Sequence, residues 1–587
     1  MIRLICIIFF VVIVSSIGNN LLSQKEDYNW VLGTAGKDNR PTEPYGNFIM
    51  SFDNESLLMK RIVSEAKMYN TNSVISNAEG LLQLYSNGYL VFGNNHKALP
   101  GLEEINRDSY WWRITGYPFN QAILILQDPG HKNQYYLIYC YDAKPPDNND
   151  TIIRTNILRA SLVNLEIPIN PIVIYKDKDI HLGKFGVGEI TATRHANGRD
   201  WWIVIPKRYS KDLFVFLLDP KGIQFSHEQS FDLPSASGGL GQACFSPDGS
   251  SYALGNIHGK YRLGGYLELF DFDRCKGILS RKRVIPVSDS VGFGGLAFST
   301  NNKFLYFATQ VVLWRVDATL DNPELSKIKI DTFQGNINDP FGCTFNQLLL
   351  GADGKIYVAS DGTNLCMSVL EEPNNDSGLD IGWTQNGIIL PTYNRGSIPN
   401  LPNFRLGPMD GSECDSLGIN NIPLARFRHR QDSIDILKFQ FTDLSSYEVK
   451  EWYWDFGDGI QSRDKNPIHQ YSKQGLYHVC LKVKNENGED LKCKDIYLGV
   501  NSFKQTQKEI GIDIWNEGNQ LIIQINNYYP KNLRLQLFNV QGKLIEEKRL
   551  YYGLQTFSVE HYPQGIYYYQ MEDQGVKVKS GKVIKAD

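Results

Sequence analysis

A short polar turn recurs along the first two-thirds of this 587-residue chain, and each copy leads into an apolar, aromatic stretch. The best copies are Phe245-Ser-Pro-Asp-Gly249 before Tyr252, Phe298-Ser-Thr-Asn-Asn302 before Phe304, and Leu350-Gly-Ala-Asp-Gly354 before Ile356. His195-Ala-Asn-Gly198 precedes Trp201 in the same way, and weaker copies are Asn77-Ala-Glu-Gly80 and Pro129-Gly-His-Lys-Asn133. The glycine or its equivalent falls at 198, 249, 302 and 354, in steps of 51, 53 and 52 residues. A repeat near ~50 residues, each a turn-linked group of strands, is the pattern of propeller blades. Asn, Asp and Gly supply the positive φ angles that tight hairpins demand. A further blade assembled from residues near 43–53 and 380–405 would close a ring and remove its exposed edges. The expected fold is all-β, opening with a β-propeller of about seven blades over residues 25–420. Two stacked β-sandwiches are the competing arrangement, and three nearly equal steps argue against them.

Abundant Gly (51), Tyr (32) and Phe (29) suit many short strands joined by turns. A net charge of −4 offers no field to gather nucleic acid or an anionic membrane, so neither is expected as a partner. Residues 1–24 read as a signal peptide: Arg3, then an apolar run from Leu4 to Val14, then Ser15, Ser16 and Gly18. The run is about half of what a bilayer-spanning helix needs, which disfavours a membrane anchor. No second long apolar run follows, so the mature chain is expected to lack a transmembrane segment. Cys6 leaves with the leader, and no CxxC pair occurs among the other cysteines, so a zinc knuckle is not expected. Only Cys480 and Cys493 suggest a disulfide, since a fold-back at Asn487-Gly488 would bring them together in an oxidising compartment. The remaining cysteines read as buried thiols.

Three stretches carry family resemblances. Ile190 to Trp202, Leu84 to Gly88 with Asn94 to His96, and Arg405 to Cys414 resemble propeller-like N-terminal domains of exported Bacteroidetes proteins. Trp452-Tyr-Trp-Asp-Phe-Gly-Asp-Gly459, followed by Gly475 to Val483, closely resembles a PKD domain, which implies an immunoglobulin-like β-sandwich over 421–500. The end of the chain resembles the type A C-terminal sorting domain of the type IX secretion system. The matching features are the Phe538-Asn-Val-Gln-Gly542 turn, the Gln564-Gly-Ile-Tyr-Tyr568 strand and Gly581-Lys-Val-Ile-Lys585. That resemblance implies a β-sandwich over 501–587 that engages the type IX machinery, with delivery to the cell surface or release. One more adhesive sandwich is the alternative for this tail.

Chemistry is sparse in the sequence. There is no His-Glu-x-x-His helix, Gly-x-Ser-x-Gly elbow or phosphate loop. No catalytic residue and no cofactor is assigned. His96, His131 and His195 sit beside turns, where capping the turn is the plainer role. In Trp111-Trp112 and Trp201-Trp202, adjacent strand residues face opposite sides, so one indole of each pair could meet a ligand. The candidate ligand-facing residues are accordingly Trp112, Trp201 and His195. Asp455 and Asp458 are weak calcium candidates, set against a role in fixing the turn around Gly457 and Gly459. The function expected is a non-enzymatic surface binding or adhesion protein for a glycan or surface-protein ligand. The alternative is a polysaccharide-active hydrolase or lyase at the propeller's central channel, which would require His195, Asp248 and residues near Asp353 to converge.

Overall fold

The structure, a computed structural model, describes residues 24–34, 44–52, 57–106, 116–142, 155–167, 171–231, 241–257, 265–287, 293–334, 342–377, 381–432, 435–498, 511–517, 520–526, 533–539, 543–550, 553–573 and 576–585. The expected leader lies outside these residues. Among them no helix is long and apolar enough to cross a membrane, and the fold is all-β.

Seven antiparallel meander sheets follow one another in chain order among the described residues. The first runs from Asn29–Thr34 to Leu58–Ile62 and the second from Ser73–Ser76 to Val91–Gly93, each with three strands. The other five have four strands each. Their first and last strands are Ile123–Gln127 and Ile172–Leu182, Thr191–Arg194 and Gly222–Ser230, Gln242–Phe245 and Ile278–Val287, Phe293–Phe298 and Ile328–Thr332, and Phe345–Leu350 and Trp383–Arg395. The six repeated turns fall at the first hairpin of sheets two to seven. In five of them the same geometry recurs. Gly80, Gly198, Gly249, Asn302 and Gly354 all have positive φ, between 63° and 86°. Each donates its N–H to the carbonyl three residues earlier, as Gly249 does to Ser246 at 2.8 Å and Asn302 to Ser299 at 3.0 Å.

Asn302 holds with a side chain the left-handed conformation that glycine adopts in the other copies. Both Asn302→Ala and Asn302→Gly lose the bond that Asn302 Oδ1 accepts from Asp248 N, and only alanine is strained at this φ, so Asn302→Ala is expected to destabilise the protein by about 1 kcal/mol more than Asn302→Gly. Urea unfolding of the two variants checks this; equal losses would show that backbone conformation is not what the position selects.

The sheet at each end of the series meets the other. Thr392 Oγ1 donates to Gly46 O at 2.8 Å, and Tyr393 N donates to Pro44 O at 2.9 Å. The expected mixed blade does not form as drawn. Trp383–Arg395 stays the fourth strand of the seventh sheet, and the first sheet packs against its far end. The physical reason is length: thirteen residues are enough to pair along Thr363–Leu370 and still reach the first sheet.

Residues 427–498 form a two-sheet sandwich. Trp454 and Phe456, alternating along one strand and its end, are 1% and 2% exposed and pack with Phe441 and Val479. Cys480 and Cys493 are direct cross-strand partners and are bridged, with Cα atoms 4.1 Å apart. The expectation of plain thiols elsewhere fails for four cysteines. Cys275–Cys414 and Cys343–Cys366 are also disulfides, because the fold brings together residues 139 and 23 positions apart. Cys140 and Cys244 remain free. The last unit pairs a three-stranded sheet with a four-stranded one, around Leu521, Ile523, Leu535 and Met571.

Candidate functional site: a cleft between the repeated hairpins and the sandwich

The first strands of the sheets meet through buried amide side chains. Gln242 donates to Leu348 O at 2.6 Å and accepts from the N–H groups of Leu348 and Leu296, so one side chain links the fifth, sixth and seventh sheets. Gln121 both donates to and accepts from the Ala243 backbone, at 2.8 and 2.7 Å. An amide carries a donor and an acceptor on one planar group, so it can satisfy two buried backbone groups at once.

The segment leaving the seventh sheet runs through this meeting place. Asn400 donates to Ile123 O and Ile190 O, both at 2.9 Å, and its N–H bonds Asn72 O at 2.8 Å. Leu401 packs against three separate core clusters. Phe404 meets the edge of Trp201 at 5.5 Å. Arg405 then forms a two-pronged ion pair with Asp27 from the start of the described chain.

The sandwich docks on the hairpin side of the sheets. Arg426 donates to Ala352 O at 2.8 Å, Arg428 pairs with Glu372 at 3.0 Å, and Asn487 donates to Asp410 at 2.6 Å. The Cys275–Cys414 bridge fastens the connecting segment to the fifth sheet. Between the two lies a cleft of about 630 Å³. Its floor includes Gln121 and Gln242, and one wall carries the repeated turns at Asp248, Asn302 and Gly354. The facing wall is the sandwich loop through Tyr447 and Glu448, with Asn466 beside it. Tyr447 and Glu448 have φ of 68° and 49°. Two consecutive side chains in the left-handed region are strained, and such strain is held only where the surroundings over-determine it.

Beside the cleft, Glu26 is 5% exposed and one of its carboxylate oxygens has no hydrogen-bond partner among the described residues. Burial raises its pKa to about 7, against the opposing pull of a backbone hydrogen bond, Arg194 and Arg405. The folded value lies above the unfolded one of 4.5, so the stability it contributes is full below pH 4.5 and is lost as pH rises towards 7. Glu26→Gln is expected to flatten stability between those limits and to gain up to about 3 kcal/mol at pH 8. Chemical unfolding from pH 4 to pH 8 checks this; parallel curves for both proteins would exclude it.

The residues singled out from sequence do not gather at one place. Trp201 is a correction: it is fully buried, with the Arg194 guanidinium 3.9 Å over its ring, because both faces of the fourth sheet pack against neighbours. Its neighbour Trp202 is 5% exposed and donates to Arg274 O at 2.7 Å. Trp112 lies outside the described residues, as does Trp111. His195 is half-buried beside Trp202 and accepts from Asn197 N at 3.0 Å; burial lowers its pKa. It serves its own turn and does not line the cleft. Asp248 accepts from Ser246 and Ser250, and Asp353 accepts from Tyr357 at 2.8 Å. No hydrogen bond or ion pair joins His195, Asp248 and Asp353 among the described residues.

Asp455 accepts from Gly457 N at 2.9 Å, and Asp458 accepts from Ile460 N and meets His469 at 2.8 Å. These carboxylates fix the turn and hold a histidine that stacks on Phe456. Among the described residues one group of potential metal ligands lies close together, His478 with Cys480 and Cys493, and its two sulfurs are bonded to each other. The sequence signals missed the cleft residues Tyr447, Asn302 and Asn466. Asn302 was visible as a turn residue; Tyr447 and Asn466 sit in loops with no distinguishing pattern.

Residues 420–500 match the PKD domain family, and residues 517–586 match the family of secretion system C-terminal sorting domains. Collagenase ColQ1 of Bacillus cereus is 42% identical over 45 residues, 8% of this chain and 5% of that protein. Collagenase ColA of Clostridium perfringens is 31% identical over 105 residues, 17% of this chain and 8% of that protein. The chain thus spans under a tenth of the length of these relatives, and the likeness falls on the PKD region. Among solved structures, the PKD1 domain from Vibrio cholerae metalloprotease PrtV is 28% identical, covering 14% of this chain and 99% of its own, with a TM-score of 0.13. A functionally unknown protein from Desulfotomaculum acetoxidans is 14% identical, covering 62% and 98%, with a TM-score of 0.32.

Proposed function

We propose that this chain, a type IX cargo that carries a PKD domain and a C-terminal sorting domain and is exported to the cell surface or released, is a non-enzymatic binding protein that takes its ligand in the cleft between the hairpins and the sandwich. In this reading the seven sheets are the blades of one ring, and residues 396–406 run along its axis. The observation that carries it is the cleft itself: about 630 Å³, inside the range of ~300–1,000 Å³ for small-ligand sites, and lined by apolar side chains together with amides, hydroxyls and charged groups.

The polysaccharide-active alternative requires an acid and a base or nucleophile within reach of one bond. Here the chain's own Asn400 and Leu401 take up the central position, and Asp248 and Asp353 are each engaged in their own turns. The test incubates the purified full-length mature chain with cell-surface polysaccharides and surface proteins. Retention without release of reducing ends or peptides is expected. Turnover of any polymer would move the assignment to an enzyme, and absence of all retention would remove the binding reading.

A further inference from the structure

We infer that the cleft takes an uncharged, polyhydroxylated ligand, a neutral oligosaccharide lying along the Tyr447 ring. This rests on the reading of the chain as a binding protein and names the class of what it binds.

The donors come first. Asn302 Oδ1 accepts from Asp248 N at 3.1 Å, and Asn466 Oδ1 accepts from Asp443 N at 2.8 Å. Asn301 Oδ1 accepts from Ser299 Oγ at 2.6 Å and Lys303 N at 3.2 Å. In all three the carbonyl end is pinned by the protein, which fixes where the amide NH₂ points. Those NH₂ groups have no partner among the described residues, and all three residues line the cleft. Asn301 and Asn466 are exposed and Asn302 is half-buried, so these donors face solvent at the cleft, where a ligand rich in oxygen can take the place of the water they would otherwise bind.

Charge then narrows the class. Arg405 is neutralised by Asp27. An anionic ligand would face Glu448, Asp443 and Asp248, and a cationic one would face Arg426 and Lys465. Mixed signs at close quarters favour neither, and a hydroxyl, which both donates and accepts, suits a lining that offers amide donors beside carboxylate acceptors.

The aromatic face completes the pattern. Tyr447 is bulky and held at φ 68°, and its C=O is pinned by Asn485 Nδ2 at 3.0 Å. Its ring packs at Gly407, where an added Cβ would sit 2.8 Å from Cδ1. The loop therefore fixes a half-buried ring at the cleft wall at a cost in backbone strain. An aromatic face covers the C–H side of a sugar ring while the amide donors take its hydroxyls.

The experiment is calorimetric titration of the full-length mature chain with neutral hexaoses of glucose (β-1,3 and β-1,4), mannose and xylose, with hexagalacturonate as the charged probe. Binding of at least one neutral hexaose is expected. It should weaken at least tenfold in Tyr447→Gly and in Asn302→Gly, two changes that keep the positive φ while removing the ring or the amide. Thermal unfolding of each variant verifies that the fold is retained. Three outcomes each overturn the inference: no neutral hexaose binds, hexagalacturonate alone binds, or both variants bind as the parent does. If surfaces are still retained while the neutral hexaoses fail, the binding reading stands and the ligand class is wrong. If both fail, the reading falls as well.

Discussion

Removal of residues 511–587 is expected to leave the protein inside the cell envelope, with the extracellular and surface-bound fraction falling at least tenfold and the periplasmic fraction rising to match. The tail is a self-contained sandwich with its own core of Leu521, Ile523, Leu533, Leu535, Leu537 and Met571. None of these residues belongs to the clusters that hold the sheets or the PKD unit. Residues 24–498 should thus fold without it, so the loss reads out delivery and not stability. Immunoblotting of medium, surface-exposed and periplasmic fractions checks the outcome, with thermal unfolding of the truncated protein as the control for folding. An unchanged extracellular fraction would mean that the export signal lies elsewhere in the chain.

The second large effect concerns Asp27 and Arg405. Their side chains are 8% and 15% exposed and bonded by both prongs. Deleting one partner strands a charge in a place that water does not reach. Asp27→Ala or Arg405→Ala should each cost about 3–5 kcal/mol. Replacing both, as Asp27→Leu with Arg405→Met, should cost much less than the sum, because no charge is left behind. Urea unfolding of the two single variants and the double variant checks this. Additive losses would show that the pair acts as two independent packing contacts. The bond ties the start of the described chain to the segment leaving the seventh sheet, so its loss is also expected to loosen the cleft that both residues line.

The repeated turns were legible because they obey a local rule: a tight hairpin needs a residue that tolerates positive φ. Gly198, Gly249, Asn302 and Gly354 carry that requirement in their identity. The PKD sandwich was legible for a similar reason, since Trp454 and Phe456 alternate and Asp455 and Asp458 cap their own turn. What stayed hidden was non-local. Two disulfides join residues with no shared pattern, and nothing about Cys275 points to a partner 139 residues away. Trp201 looked like a ligand platform because strand alternation puts one of two neighbours on the other face. A four-stranded sheet packed on both sides has no solvent face at that position. The cleft was invisible because half of it belongs to the sandwich, and its docking rests on Arg426 reaching a backbone carbonyl at Ala352. No residue type announces such a contact.

The meeting of the first sheet with the end of the seventh has a consequence for the order in which the molecule assembles. Sheets two to six are each built from neighbouring stretches of chain, so every one can form soon after its residues emerge. The first sheet can pair its own strands as early, but its docking must wait. Thr392 and Tyr393 reach Gly46 and Pro44 only after some 350 further residues have been made, and contacts that distant close slowly. Until then an unfinished chain shows an unclosed flank at either end, open to pairing with another copy. The seven sheets are therefore at their most vulnerable to self-association just before residue 393 arrives, and the end of Trp383–Arg395 acts as the fastener of the sheets ahead of it.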